Sequence, residues 1–156
     1  MKIVLYHVST AREDWADEAS ALYQKKISAF LPAIEEALKP RKAARDASAA
    51  KKTAESELIL EHLKPDDYVI LFDEKGEALD SRGFAKRFEQ ALGSSKKRIV
   101  FLIGGAFGVE DSVRRRADRV LSLSSLTMNH VLAKTVAWEQ IYRAFTILKN
   151  LPYHND

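Results

Sequence analysis

Between Leu121 and His130 the chain reads LSLSSLTMNH, a stretch rich in residue types suited to holding a ligand. Ser124 to Asn129 offers hydroxyls and one amide beside two apolar side chains, Leu126 and Met128, with no acidic residue and no glycine. That mixture fits a small pocket for a partly apolar ligand with polar edges. The same residues also suit a plain strand-to-helix connection, with Asn129 or Thr127 capping a helix that starts near Val131. A second candidate is GGAFG, where Gly104, Gly105 and Gly108 would let the backbone approach a ligand closely. Its spacing is not that of a dinucleotide fingerprint, and there is no Walker lysine, so a tight turn explains it equally well.

Two further groups can handle charge or protons. Glu139, Tyr142 and Arg143 fall within little more than one helical turn. Arg143 could bind a phosphate or carboxylate, or pair with Glu139 at i,i+4. Tyr153 and His154 lie in a tail with few apolar residues to bury. A histidine titrates near neutrality and a tyrosine donates a hydrogen bond, so both suit proton chemistry, although terminal residues are usually solvated. His7 and His62 read as a strand and a helix residue without a role. The chain has no cysteine, no G-x-S-x-G elbow and no His/Asp/Glu spacing typical of a metal site. Thiol, hydrolase and metal chemistry are therefore disfavoured.

The elements that must position these groups alternate between strand and helix. Residues 2–8 (KIVLYHV) read as a buried first strand. Thr10 and Glu13 have capping-box spacing, and Trp15, Ala19, Leu22, Tyr23, Ile27 and Phe30 follow at helical intervals. Residues 33–38 (AIEEAL) suit a short helix or a strand, and the basic stretch after Pro40 reads as a loop entering a helix through His62. Residues 68–72 (YVILF) form a strand expected to end at Asp73, with EKGEALD as a polar connection. Ser81 caps a helix carrying Phe84, Phe88, Ala91 and Leu92. Residues 98–103 form another strand, a short helix carries the arginine run, and residues 119–123 form the next strand. Val131, Thr135, Trp138, Tyr142 and Phe145 mark the inward stripe of a long last helix. This alternation predicts an α/β fold, a mostly parallel sheet flanked by helices. Ligands of such sheets bind beyond the carboxyl ends of strands, where Phe72-Asp73, Gly104-Gly105 and Leu123 to Met128 all fall.

At 156 residues, with 46% hydrophobic and 30% charged residues, one globular domain is expected. The first apolar run is too short for a signal peptide, and no run could span a membrane, so a cytoplasmic protein without membrane or metal is expected. Net charge is only +3, yet it is clustered: Lys39 to Lys52, Lys96-Lys97-Arg98, and Arg114-Arg115-Arg116 with Arg119. Such clusters either neutralise nucleic-acid phosphates or form solvated surface.

Taken together, FLIGGAFG, LSLSSLTMNH, WEQIYRAF and the terminal PYH resemble the RlmH family, SPOUT-class methyltransferases of large-subunit ribosomal RNA that act on pseudouridine. The resemblance covers the whole chain in length and element order. It implies a single SPOUT domain over residues 1–156, a C-terminal trefoil knot and a homodimer. A knot is something no reading of strand periodicity would propose. The resemblance also implies S-adenosyl-L-methionine as cofactor, with Phe72, Gly104, Gly105, Leu123, Ser124, Ser125, Leu126, Thr127 and Met128 at the cofactor-binding positions. Arg143, Tyr153 and His154 match the positions that act near the target base. Arg143 would favour the developing anion, while His154 or Tyr153 orients the base or accepts its proton. The implied reaction is methyl transfer to N3 of a pseudouridine in the large-subunit rRNA of assembled ribosomes. For residues 33–38 the family favours a strand. Two positions depart from its pattern: Asn129 stands where proline is usual, and Lys134 where arginine is common. The competing readings are a non-catalytic RNA-binding protein, an enzyme using another nucleotide-like ligand, and a SPOUT methyltransferase with another RNA target.

Overall fold

The computed structural model describes residues 1–9, 11–40 and 48–156. Five strands form one sheet in the order β2-β1-β4-β3-β5, and every neighbouring pair is parallel. They are β1 (Lys2–Val8), β2 (Ala33–Leu38), β3 (Asp67–Ala78), β4 (Arg98–Ile103) and β5 (Arg119–Ser122). The helices between and after them are α1 (Asp14–Ile27), α2 (Ser48–His62), α3 (Ser81–Leu92), α4 (Asp111–Arg116) and α5 (His130–Leu148). AIEEAL is thus a strand. It lies at the edge of the sheet, paired along its whole length with β1.

Side-chain alternation along the central strands divides the core into two layers. Ile3, Leu5, Ile70, Phe72, Ile99, Phe101 and Ile103 face α1, α3 and α5, where Phe88 and Trp138 are fully buried. Val4, Tyr6, Val69, Leu71, Val100 and Leu102 face the opposite way, against Ile59 of α2 and Val113 of α4. Every residue of β4 is buried, as the centre of a sheet covered on both faces requires. Phe145 ties α5 to the turn after α1 and to α3, stacking on Phe30 at 4.8 Å and meeting Phe88 edge-on at 4.9 Å.

Several local expectations shift. The expected Thr10 end of a capping box lies outside the described residues, and Glu13 is itself the N-cap of α1, without a side-chain cap bond. The inward face of α1 is Ala16, Ser20 and Ile27, while Trp15 and Leu22 are half exposed. In α3 the cap is Asp80, whose carboxylate accepts the Gly83 amide at 2.7 Å, so Ser81 is the first helical residue. On α5 the buried stripe is Val131, Lys134, Ala137, Trp138, Ile141 and Phe145, with Thr135 and Tyr142 only partly covered. Asn129 caps α5, accepting the Val131 amide at 2.8 Å.

The largest correction concerns β3, which does not end at Asp73. It pairs with β5 through Phe72, leaves the ladder for four residues, and returns so that Leu121 is opposite both Phe72 and Glu77. The residues expected to be a polar connection are thus a bulge inside a strand, and bulges re-aim side chains at strand ends. Gly76 makes the return possible. A Cβ there would lie 2.6 Å from the carbonyl carbon of Leu121, closer than any side chain tolerates. Gly76→Ala is expected to destabilise the fold by about 2 kcal/mol or more in urea denaturation. Gly93→Ala, whose new Cβ would have its nearest neighbour at 3.6 Å, serves as the near-neutral control. Equal small effects at both positions would remove the crossing as a constraint.

Candidate functional site

Beyond the carboxyl ends of β3, β4 and β5 lies an open cleft of about 680 Å³. Its apolar walls are Phe72, Ile103, Leu123, Met128 and Ala133, and Gly104 and Gly105 provide bare backbone. Ser124, Leu126 and Thr127 complete the stretch singled out in the sequence, whereas Ser125 does not line the cleft. Leu126 protrudes at the rim with 78% of its surface exposed. Eight of the nine residues expected to hold a ligand therefore share one wall system.

The irregular connection after β5 is held by its own hydroxyls. Ser122 Oγ donates to the Ser124 carbonyl at 3.0 Å, and Ser124 Oγ accepts the Leu126 amide at 2.9 Å. Among the described residues no hydrogen bond uses the amide N–H of Thr127 or Met128. Open amides above an apolar floor fit a flat, heteroatom-edged group such as adenine. The glycine turn is fixed by the protein itself: a Cβ on Gly104 would collide with Val109 at 2.8 Å, and one on Gly105 with the Glu55 carboxylate at 2.3 Å. Gly108 closes the turn at φ +76°, a left-handed conformation that favours glycine.

The cleft also contains residues the sequence reading gave no role. Asp73, carried on the β3 bulge, accepts Arg114 Nη2 at 2.7 Å, while Arg114 Nη1 donates to the Val109 carbonyl at 3.0 Å. His130, the first residue of α5, is a further lining residue. Its sequence signal is its place at the end of the Leu121 to His130 stretch, immediately after the Asn129 cap.

Arg143, Tyr153 and His154 come together, but not in this cleft. Arg143 Nε donates to Glu139 Oε1 at 3.1 Å, Arg143 Nη1 lies 3.1 Å from His154 Nδ1, and the guanidinium sits 4.8 Å from the Tyr153 ring centre. Tyr153 donates its hydroxyl to Glu139 at 3.0 Å. Burial, followed by hydrogen bonds with Tyr23 and Glu139, pushes the phenol up, so it remains protonated. His154 Nδ1 faces a donor that cannot give up its proton, and its Nε2 lies 3.1 Å from Asp156. Arg143 follows the cleft residue Ala133 by ten helical positions, roughly 15 Å along α5. Within one chain, the ligand-holding residues and the expected base-handling residues are apart.

Three of the clustered basic residues, Arg98, Arg114 and Arg116, are committed to the fold. Arg98 is buried in a bidentate pair with Asp67 (2.6 and 2.7 Å) and also donates to Tyr6. Arg116 donates to the Lys64 carbonyl at 2.7 Å. Residues 41–47 of the first cluster lie outside the described residues. Lys134 is buried too. Its ammonium donates to Glu35 at 2.8 Å and Asp17 at 2.9 Å, so this departure from the family pattern is an internal tie. Trp138 Nε1 donates to the other Glu35 oxygen, and His7 Nε2 is 3.4 Å from Glu35. No cluster of three possible metal ligands occurs among the described residues, and no described helix is long and apolar enough to cross a membrane.

A family model described as "Predicted SPOUT methyltransferase" matches residues 1–154, and the chain belongs to that family of methyltransferases. It is similar over its full length to the "Ribosomal RNA large subunit methyltransferase H" of Bdellovibrio bacteriovorus, at 56% identity over 99% of both chains. Proteins of the same name from Pseudothermotoga lettingae and Parabacteroides distasonis are 40% and 36% identical, over 99% and 100% of both chains. The family suggested by the C-terminal motifs is the one found. A methyltransferase is therefore favoured over the binding-protein and other-ligand readings.

The Glu35 cluster gives a pH signature. Burial works against ionisation of Glu35, but hydrogen bonds from His7, Lys134 and Trp138 outweigh it and hold the carboxyl at about 2. Because the folded value is below the ordinary 4.5, the stabilisation is complete above that pH and is lost as pH falls through about 2. Melting temperatures of wild type and Glu35→Gln should differ most above pH 4.5 and converge toward pH 2. A difference independent of pH would remove ionised Glu35 from this account.

Proposed function

We propose that the chain transfers the methyl group of S-adenosyl-L-methionine to N3 of a pseudouridine in large-subunit rRNA within assembled ribosomes. The cleft carries this reading: an apolar floor, bare glycine backbone and unpaired Thr127 and Met128 amides lie together at three strand ends. Phe72, Leu123 and Met128 would hold the adenine and the apolar stem, and the backbone of Gly104 and Gly105 would border the polar edges. When bound, the cofactor supplies an activated methyl, so the protein's task is chiefly alignment. The printed names of the full-length relatives support rRNA as substrate, and a cytoplasmic location follows from it. The close passage of Gly76 over Leu121 supports a C-terminal trefoil knot to the extent that a knot needs chain segments to cross at close range.

The separation of the two residue groups supports a homodimer in which one subunit's tail enters its partner's cleft. Trp15 and Leu22, exposed at i and i+7 on α1, with Leu126 and Leu132, offer apolar surface for that contact. Arg143 would then stabilise charge on the base, and Tyr153 and His154 would orient it.

Labelled methyl is expected on a pseudouridine when the protein is given ribosomes lacking the modification, with little on free rRNA. No transfer to either, despite measured donor binding, would point to another RNA target. Arg143→Ala should lower transfer by about 100-fold or more with donor affinity nearly unchanged. An unchanged rate would remove Arg143 from the mechanism. Subunit sharing has its own measurement. Arg143→Ala and Gly104→Val subunits, each inactive alone, should regain about a quarter of wild-type activity after mixing, because half the dimers are mixed and each restores one of two sites. Absence of recovery, with mixed dimers demonstrated, would place both groups in one subunit.

A further inference from the structure

We infer that His130 is the proton acceptor of the methyl transfer, held as a neutral imidazole with its Nδ1 lone pair free by the hydroxyl of Ser9. The inference rests on the methyl-transfer reading above and adds a residue to it. A target nitrogen that carries hydrogen must lose that proton as it gains a methyl, so the site needs an acceptor. The tail groups do not offer one. Tyr153 is a phenol pushed up by burial and already donating to Glu139, and both ring nitrogens of His154 face partners.

His130 lines the cleft and has the required polarity. Ser9 Oγ accepts the Ala11 amide at 3.1 Å and donates its proton to the Ala11 carbonyl at 2.9 Å. Its remaining lone pair faces His130 Nε2 at 2.9 Å, so that nitrogen carries the ring hydrogen. Nδ1 is then the acceptor. Among the described residues it has no hydrogen-bond partner, and it is not among the unpaired atoms sealed from solvent.

The surroundings keep the ring neutral. Burial, then the positive potential of His7 on β1 and of Lys134 one turn along α5, lower its protonation below the ordinary histidine range. Glu35 on β2 and Asp17 on α1 are the acidic groups nearby, and both are bonded to Lys134. Across the cleft, Asp73 is paired with Arg114, and Glu74 is within 3.5 Å of Thr127 Oγ1. Glu35, Asp17 and Asp73 are thus each engaged by a cation, and none of them is hydrogen-bonded to His130. The first turn of α5 adds the positive end of a helix dipole.

The balance is simple. The donor's sulfur–carbon bond breaks with its electron pair kept on sulfur, the new carbon–nitrogen bond forms, and the nitrogen's proton passes to Nδ1. Arg143, brought beside the base in the proposed dimer, favours the anion that develops as this proton leaves, so a weak neutral base suffices. It then leaves through the open cleft to water.

The test has a spectroscopic and a kinetic arm, both on the full-length protein. Nitrogen-15 chemical shifts of His130 should show the neutral Nε2–H form at pH 7, titrating below the ordinary value of about 6.5. Ser9→Ala should shift the ring toward mixed tautomers. An Nδ1–H form, or a charged ring at pH 7, overturns the inference without any activity measurement. In single-turnover transfer to ribosomes lacking the modification, His130→Asn should keep donor affinity within about threefold by calorimetry. Its rate should fall about 100-fold and lose the acid limb that wild type shows. An unchanged acid limb, or a loss below about threefold, overturns it. If wild type itself transfers no methyl, the reading of the substrate has failed, and the proton-acceptor role falls with it.

Discussion

At Gly76 the strand that floors the cleft passes the backbone of Leu121 with no space for even one added carbon. Much of the site depends on this contact. It returns β3 to the ladder after the bulge at Asp73 to Gly76, and it holds Leu121, the last fully buried residue before the ligand-facing stretch. The bulge turns Asp73 toward Arg114, and Arg114 in turn holds the Val109 carbonyl at the far end of the glycine turn. Three strand ends are thus tied into one rigid rim. Loosening the crossing would free the residues whose unpaired amides fit a cofactor. Open backbone donors persist only where the surrounding structure prevents them from collapsing onto one another.

Buried charge forms the second organising feature. Lys134, Glu35, Asp17, His7 and Trp138 join α5 to β2, α1 and β1, and Arg98 with Asp67 and Tyr6 does the same at the amino end of the sheet. Such groups are costly to desolvate, and only full pairing makes them tolerable. Their value lies in orientation. A hydrophobic α5 could slide or rotate against the sheet, whereas one anchored by an ammonium between two carboxylates has a fixed register. That register places His130 beside Ser9 and Ala133 in the cleft wall. The departure at Lys134 is therefore read by packing rather than by RNA.

The parts of this fold legible in the sequence were those set by periodicity and local chemistry. Continuous apolar runs gave β1, β4 and the first half of β3, and the Asn129 cap gave the start of α5. The stretch that lines the cleft stood out because it puts hydroxyls and apolar side chains together at a strand end, a mixture that by itself also suits a plain strand-to-helix connection. The second half of β3 was not. Glu74, Lys75 and Glu77 are polar because they lie outside the core, and nothing local signals that Leu121 will accept two partners. The α1 face was misplaced because Trp15 and Leu22 are apolar yet outward, and helical spacing alone does not say which apolar residues turn inward. Arg98 and Lys134 were invisible for the opposite reason. A charged residue announces solvent, and only tertiary pairing shows that it is buried.

The placement of polar groups along α5 carries a further consequence. Its first turn borders the cleft with His130, and its last turns carry Arg143 bound to Glu139 and the tail. A guanidinium near His130 would hold that ring unprotonated but would also repel the proton it must receive. A carboxylate such as Glu139 near the cofactor would raise the proton affinity of His130 and hold the donor's positive charge in its ground state. Within one chain, the length of α5 keeps the two groups out of reach of each other. In the proposed homodimer, where one subunit's tail enters its partner's cleft, the complete site would depend on assembly.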